Sequence, residues 1–152
     1  MDKKIALFPG SFDPFTRGHE DIVLRSLALF DEVIIALGHN TKKARYFEVD
    51  RMIEYIEKAF EGNTGVSVVK YNELTASLAK KYNAGFMVRG LRNTTDFEYE
   101  NGISQINRSL NHELETVFLI TSPSLAPISS SIIREVHKYG GDVREFLPFE
   151  LD

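Results

Sequence analysis

The sequence contains no cysteine. That absence excludes disulfides, thiolate metal sites and a cysteine nucleophile together. Long apolar runs are missing as well: the first stretch after MDKK, IALF, meets Pro9-Gly10 at once, and no later run reaches the length of a signal peptide core or a membrane span. The expectation is a cytoplasmic protein, neither exported nor embedded in a membrane. There is no basic excess, since 18 Lys and Arg face 22 Asp and Glu for a formal net charge of −4. This balance argues against nucleic acid as a partner and leaves small anionic ligands open. No internal repeat, low-complexity tract or Gly/Ser linker divides the 152 residues, so one domain spanning 1–152 is expected.

What the chain does contain is five short apolar runs rich in β-branched and aromatic residues: Ile5 to Phe8, Val33 to Leu37, Val66 to Val69, Phe86 to Val88 and Val117 to Ile120. Their lack of alternation fits strands buried on both faces of a parallel sheet. Helical periods lie between and after them, marked by Val23, Leu27 and Phe30; by Met52, Ile56, Ala59 and Phe60 before Gly62; by Leu74, Leu78 and Tyr82; by Tyr99, Ile103, Ile106 and Leu110; and by Ile132, Ile133 and Val136 before Gly140-Gly141. Strict alternation of strand and helix predicts an α/β fold, a doubly wound, Rossmann-like five-stranded parallel sheet. In such sheets ligands collect beyond the carboxyl ends of the strands, where the winding reverses. The loops after the first, second, fourth and fifth strands are therefore the candidate site.

After the first strand the chain reads FPGSFDPFTRGHEDIV, residues 8–23. Gly10 and Gly18 are eight apart, which fits neither the GxxxxGK[ST] phosphate loop nor GxGxxG. Pro9-Gly10-Ser11 and Asp13-Pro14 each favour a turn, and Gly18 allows close backbone approach just before a helix whose N–H groups and dipole suit an anion. A lone histidine in a helix's first turn is more often a solvated polar residue. His19, however, follows a glycine at this helix start, where a ring N–H joins the backbone donors that a phosphoryl transition state needs. Ser11 adds a hydroxyl.

RGLR, Arg89 to Arg92, follows the fourth strand directly, and two guanidinium forks there can grip separate phosphates. NTKK places Lys42 and Lys43 after the second strand, and PISSSIIRE, Pro127 to Glu135, offers three serines where one would suffice as a helix cap. Together these make a polyphosphate site. No Ser-His-Asp order or metal-ligand cluster is persuasive, no residue is assigned as a metal ligand, and His39, His112 and His137 are assigned no chemistry.

These segments resemble the bacterial phosphopantetheine adenylyltransferase family almost end to end, and the resemblance implies that the sheet is of the Rossmann-like nucleotidyltransferase fold. FPGSFDPFTRGHEDIV is similar to the family's PG[ST]FDPxTxGHxDI opening, RGLRNTTDFEYE to its RGLRxxxDFEYE segment, and ISSSIIREV to its last helix start. The resemblance implies transfer of the adenylyl group of ATP to 4′-phosphopantetheine with Mg²⁺, giving dephospho-coenzyme A and pyrophosphate; dephospho-coenzyme A or coenzyme A would be product or feedback ligand, and the assembly a homohexamer. Carried over by position, Ser11, Phe12, His19, Gly90, Leu91, Arg92, Glu100, Leu125, Ala126, Pro127, Ile128, Ser129, Ser130 and Ser131 would contact ATP. Ser11, Lys43, Thr75 and Arg89 would bind the acceptor, and His19 would stabilise the transition state with help from Ser11, Lys43 and Arg92. The chain departs from the family pattern at Leu125, often tryptophan; at Thr75, often hydrophobic; and in ARYFEVDR, residues 44–51, where Pro-x-Phe-[ST]-x-Glu-Glu-Arg is usual. The alternatives are another adenylyl- or cytidylyltransferase of the same superfamily and a nucleotide-binding module without catalysis.

Overall fold

The structure, a computed structural model, describes residues 2–152. In chain order the elements are β1 (Ile5–Gly10), α1 (Arg17–Ser26), β2 (Glu32–Gly38), α2 (Val49–Ala59), β3 (Val66–Tyr71), α3 (Thr75–Lys81), β4 (Phe86–Leu91), α4 (Thr94–Leu110), β5 (Glu115–Ile120) and α5 (Ser130–Lys138), followed by a 3₁₀ turn at Arg144–Phe146. The five strands form one parallel sheet in the order β3-β2-β1-β4-β5. The doubly wound α/β expectation holds, and its reversal point lies between β1 and β4.

Burial follows position in the sheet. Ala6, Leu7 and Phe8 of β1 and Val33 to Leu37 of β2 are buried, as their unbroken apolar runs require. Edge strands β3 and β5 are only partly covered, and Ser67 and Lys70 on β3 are exposed. On one face Ile22 and Val23 of α1 pack with Met52 and Ile56 of α2 around Phe8, Phe15 and Ile35. On the other, Leu78 and Ala79 of α3 cover Leu7, Ile34 and Met87. The chain's end closes over α5, where Ile133 meets Val143 and Leu147.

The helical periods locate the helices but overrun some ends. The first stops at Ser26, and Phe30 is buried instead by a turn in which Leu29 and Phe30 N–H groups share the Ser26 carbonyl at 2.9 Å. Leu74 and Tyr82 become the caps of α3. On α4 the apolar stripe lies outside: Tyr99 is 70% and Ile106 63% exposed, while Glu100 and Asn107 are buried.

Pro9-Gly10 is not a turn but the end of β1, paired with Ala36 and Leu37 of β2. Proline in a central strand removes a ladder donor. Here β1 pairs with β4 only at Ala6 with Phe86 and Leu7 with Met87, whereas the β1–β2 pairing runs six residues. The Pro9 carbonyl, on the edge where proline has no N–H to offer, accepts instead from Arg89 Nη1. The two strands part beyond Leu7, and a crevice opens at the reversal point.

Leu7 is fully buried at the last paired position before that parting. Leu7→Ala should lower unfolding stability by about 2–5 kcal/mol, read as a lower urea midpoint with an unchanged slope.

Candidate active site

The loop from β1 to α1 builds one wall of the crevice. Phe12 adopts a left-handed φ of 47°, and its ring lies so close over Gly10 that a Cβ there would meet Phe12 Cζ at 2.9 Å. Glycine at position 10 is what gives this ring room. Thr16 caps α1: its Oγ1 accepts the His19 N–H at 3.3 Å, while its own N–H donates to His19 Nδ1 at 2.9 Å. Gly18 has no positive φ, and a Cβ would meet only Thr16 Oγ1 at 3.4 Å and Leu125 O at 4.0 Å, so its service is to keep the cavity wall bare.

The cap also fixes the chemistry of His19. A backbone N–H can only donate, so Nδ1 carries no proton and the neutral ring holds its proton on Nε2. The ring is boxed by Phe8, Phe12 and Phe15, with centroids 6.1, 4.9 and 5.3 Å away. Burial among them, followed by the positive charges of Arg89 and Arg92, pulls its pKa from 6.5 to about 3. His19 is thus a neutral N–H donor at a helix start and not a solvated surface histidine.

Both arginines of RGLR reach the site, each already gripped by a carboxylate. Arg89 donates from Nε and Nη2 to the two oxygens of buried Glu100 at 2.9 and 2.6 Å, in addition to Pro9 O. Arg92 donates from Nε and Nη2 to Asp96 at 3.0 and 3.3 Å, and this bonding lowers the Asp96 pKa and raises that of Arg92. The forks are therefore aimed before any anion arrives, and one face of each is occupied by protein. Glu100, named for ATP from resemblance, has its carboxylate committed to Arg89.

Two cavities meet at this wall. One of about 340 Å³ is lined by Ser11, Phe12, His19, Gly90, Arg92, Leu125, Ile128 and Ser129 to Ser131. The other, about 1310 Å³, is lined by Lys43, Thr75, Tyr99, Ile103 and Asn107. Gly10, Ser11, Arg89 and Glu100 border both. Leu91, Ala126 and Pro127 line neither cavity. The three serines also have structural partners: Ser129 caps α5 by accepting the Ile132 N–H at 3.2 Å, Ser130 donates to Pro14 O at 2.8 Å, and Ser131 accepts from Arg134 at 3.2 Å. More than one cap is at work, and Ser129 and Ser131, which accept in these bonds, keep a hydroxyl proton to donate.

Sequence reasoning passed over Arg45, Asp13, Arg134 and His39, all of which line the larger cavity. Asp13 accepts the N–H groups of Tyr46 and Phe47 at 2.9 and 2.8 Å, tying the β2–α2 loop that bears Lys43 to the β1–α1 loop. No sequence pattern singled out Arg45, which falls on the unspecified position of the family's Pro-x-Phe, while Ala44 stands at the proline. Among the described residues no group of three or more His, Asp or Glu side chains is arranged to hold a metal ion.

Comparison with known proteins supplies a separate line. A family model described as cytidylyltransferase-like matches residues 7–136. The chain is 64% identical to a phosphopantetheine adenylyltransferase of Cytophaga hutchinsonii, over 97% of this chain and 99% of that one. It is 49% identical to the phosphopantetheine adenylyltransferase of Porphyromonas gingivalis over the full length of both. Among solved structures, it resembles a bifunctional NMN adenylyltransferase/ADP ribose pyrophosphatase from Francisella tularensis, complexed with AMP and a manganese ion, with a TM-score of 0.71 at 15% identity. That likeness covers 99% of this chain but 46% of the larger protein, and at such identity it speaks to the fold.

The state of His19 has a measurable consequence. Below pH 6.5 an unfolded chain's histidine takes up a proton that the folded one refuses down to about 3, so acid favours unfolding across that window. Wild type should lose stability between pH 6.5 and 3 that His19→Gln does not lose. ¹⁵N NMR at pH 5 should find His19 neutral with its proton on Nε2; a ring titrating near 6.5 would contradict the assignment.

Proposed function

We infer the reaction from one premise: this chain belongs to the cytidylyltransferase-like family and, within it, to the phosphopantetheine adenylyltransferases. It is an enzyme that transfers the adenylyl group of ATP to 4′-phosphopantetheine, releasing pyrophosphate and forming dephospho-coenzyme A. The observation that carries the reading onto this chain's own residues is the shared wall of the two cavities. ATP fits the smaller one, between the starts of α1 and α5, and the acceptor the larger, so that the α-phosphate and the attacking phosphate meet beside Ser11 and Arg89.

Direct in-line displacement suits this arrangement. A phosphate monoester has its second pKa near about 6 and reaches the site largely dianionic, so it is its own nucleophile and needs no general base. A phosphate oxygen of the acceptor bonds to the α-phosphorus as the bond to the bridging oxygen of pyrophosphate breaks. In this reading Lys43 and Arg89 hold the acceptor phosphate, while His19 Nε2–H, Ser11 and Arg92 offset charge growing on the α-phosphate and the leaving group. Neutrality at His19 is an advantage here: the ring donates a hydrogen bond without giving up a proton. Thr75, whose Oγ1 lies 3.3 Å from Tyr71 OH, borders the acceptor's cavity.

Mg²⁺ belongs to the proposal as a passenger of ATP. The site carboxylates Asp96 and Glu100 are taken by arginines, which leaves phosphate oxygens, water and serine hydroxyls as its ligands, a set this cation accepts. Bound so, it neutralises charge on the phosphates. Coenzyme A and dephospho-coenzyme A carry the acceptor's arm and would compete for the larger cavity. A homohexamer is supported by the exposed stripe Tyr99, Ile103, Ile106 and Leu110 on α4, which a second copy would cover. No helix among the described residues is long and apolar enough to cross a membrane; the proposed compartment is the cytoplasm, where ATP is at hand, with residues 1–152 acting as one domain.

Purified protein given ATP, Mg²⁺ and 4′-phosphopantetheine should release one pyrophosphate per dephospho-coenzyme A formed. His19→Ala, folded by circular dichroism, should lose about 10²- to 10³-fold in kcat. Near-normal turnover by that variant would remove the histidine from the mechanism.

A further inference from the structure

Four consecutive carbonyls of the β1–α1 loop are each met by a side chain from elsewhere in the fold. Arg45 donates from Nη1 to Ser11 O at 2.6 Å and from Nη2 to Phe12 O at 3.1 Å. Arg134 donates to Asp13 O at 2.7 Å, and Ser130 to Pro14 O at 2.8 Å. Arg45 is itself held, with Nε on Phe47 O at 3.0 Å and the Asp13 carboxylate 3.9 Å from Nη2. Its three nitrogens are all engaged with main-chain carbonyls.

Planarity gives this clamp a consequence. In a trans peptide the N–H points opposite to its C=O, so holding the Ser11 and Phe12 carbonyls toward Arg45 turns the N–H groups of Phe12 and Asp13 away from it. Neither N–H has a protein partner among the described residues. Arg45 lines the larger cavity, and Phe12 lines the smaller one beside His19. The left-handed φ of Phe12 is also a conformation that a residue with a side chain keeps only when its surroundings hold it.

We propose that Arg45 is a positioning residue for adenylyl transfer: its fork sets the Ser11 and Phe12 peptide planes so that the Phe12 N–H stands as a phosphate donor beside Ser11 and His19. The proposal rests on the reaction assigned above. The fork matters more than the charge, because a lysine ammonium has no planar pair of donors to span two successive carbonyls. A second consequence is that the loop carrying Lys43 and the loop carrying Ser11 move as one unit.

The test compares Arg45→Lys and Arg45→Met with wild type in the pyrophosphate-release assay, with kcat and both KM values measured beside thermal melting. Misplacing a donor by about 1 Å costs on the order of 10²-fold. Both variants should fall by about that factor in kcat, with the KM for 4′-phosphopantetheine within a few-fold of wild type and melting curves still cooperative. Wild-type kcat in Arg45→Lys would overturn the proposal, since charge alone would then suffice. A large rise in acceptor KM at unchanged kcat would overturn it too, by making Arg45 a direct acceptor ligand. So would a lower melting temperature with kcat intact, by reducing the clamp to a structural brace. If Arg45→Met does not fold, Arg45→Lys alone decides. A wild-type protein inactive with these substrates would instead sink the assigned reaction, leaving a distinct outcome.

Discussion

The parting of β1 and β4 beyond Leu7 and Met87 is the constraint on which the site depends. Elsewhere in the sheet the ladders run six residues, and any ligand would lie over a closed edge. Proline at position 9 has no N–H to extend the ladder toward β4, and the side chain of Arg89 takes the Pro9 carbonyl in place of a backbone donor. One residue type in a central strand thus turns a strand pair into a crevice and draws a guanidinium to its floor. The fold's reversal point would lie there in any case; proline is what opens it.

Around that crevice the electrostatics are set in advance. Arg89 and Arg92 are oriented by Glu100 and Asp96, so their remaining N–H groups face a fixed direction before an anion enters. Such pairs add little stability of their own, and the partly buried Arg89–Glu100 pair carries a desolvation cost. Their value is preorganisation, because donors that need not reorient act at full strength when charge develops. His19 belongs to the same scheme. Three phenylalanine rings crowd it on the protein side and two arginines repel its protonated form, so the ring stays an uncharged donor.

Much of this was legible in the chain. Five unbroken apolar runs alternating with helical periods gave the sheet and its winding, and the glycine before His19 marked the helix start at the site. Element ends were less legible, because Leu27, Phe30, Leu74 and Tyr82 continue a helical spacing although they cap or follow helices. The stripe on α4 obeys the period of a core-facing helix and yet lies outside, since periodicity reports amphipathicity and not which partner covers the face. The serine run suggested a ligand, and each hydroxyl also has a partner in the protein, the Ile132 N–H, the Pro14 carbonyl or Arg134, which no spacing announces. Arg45 and Arg134 were unreadable because their targets are carbonyls, which every residue has and no sequence pattern announces.

The division of labour among the cations explains why a chain of net charge −4 can serve a polyphosphate. Arg89, Arg92 and Arg45 each sit near a carboxylate, and much of their field is cancelled at a distance. At contact range the cancellation fails, since the forks of Arg89 and Arg92 keep N–H groups beyond those their carboxylates take. The site is therefore selective for an anion that can reach those edges, and it avoids the broad positive field that would attract any polyanion. Lys43, exposed and without an ion pair among the described residues, is the exception. In the proposed reaction its ammonium follows a phosphate in and out, on a loop whose base Asp13 and Arg45 keep fixed. Rigid donors thus meet the charge that develops during transfer, and one flexible charge meets the anion that arrives and leaves.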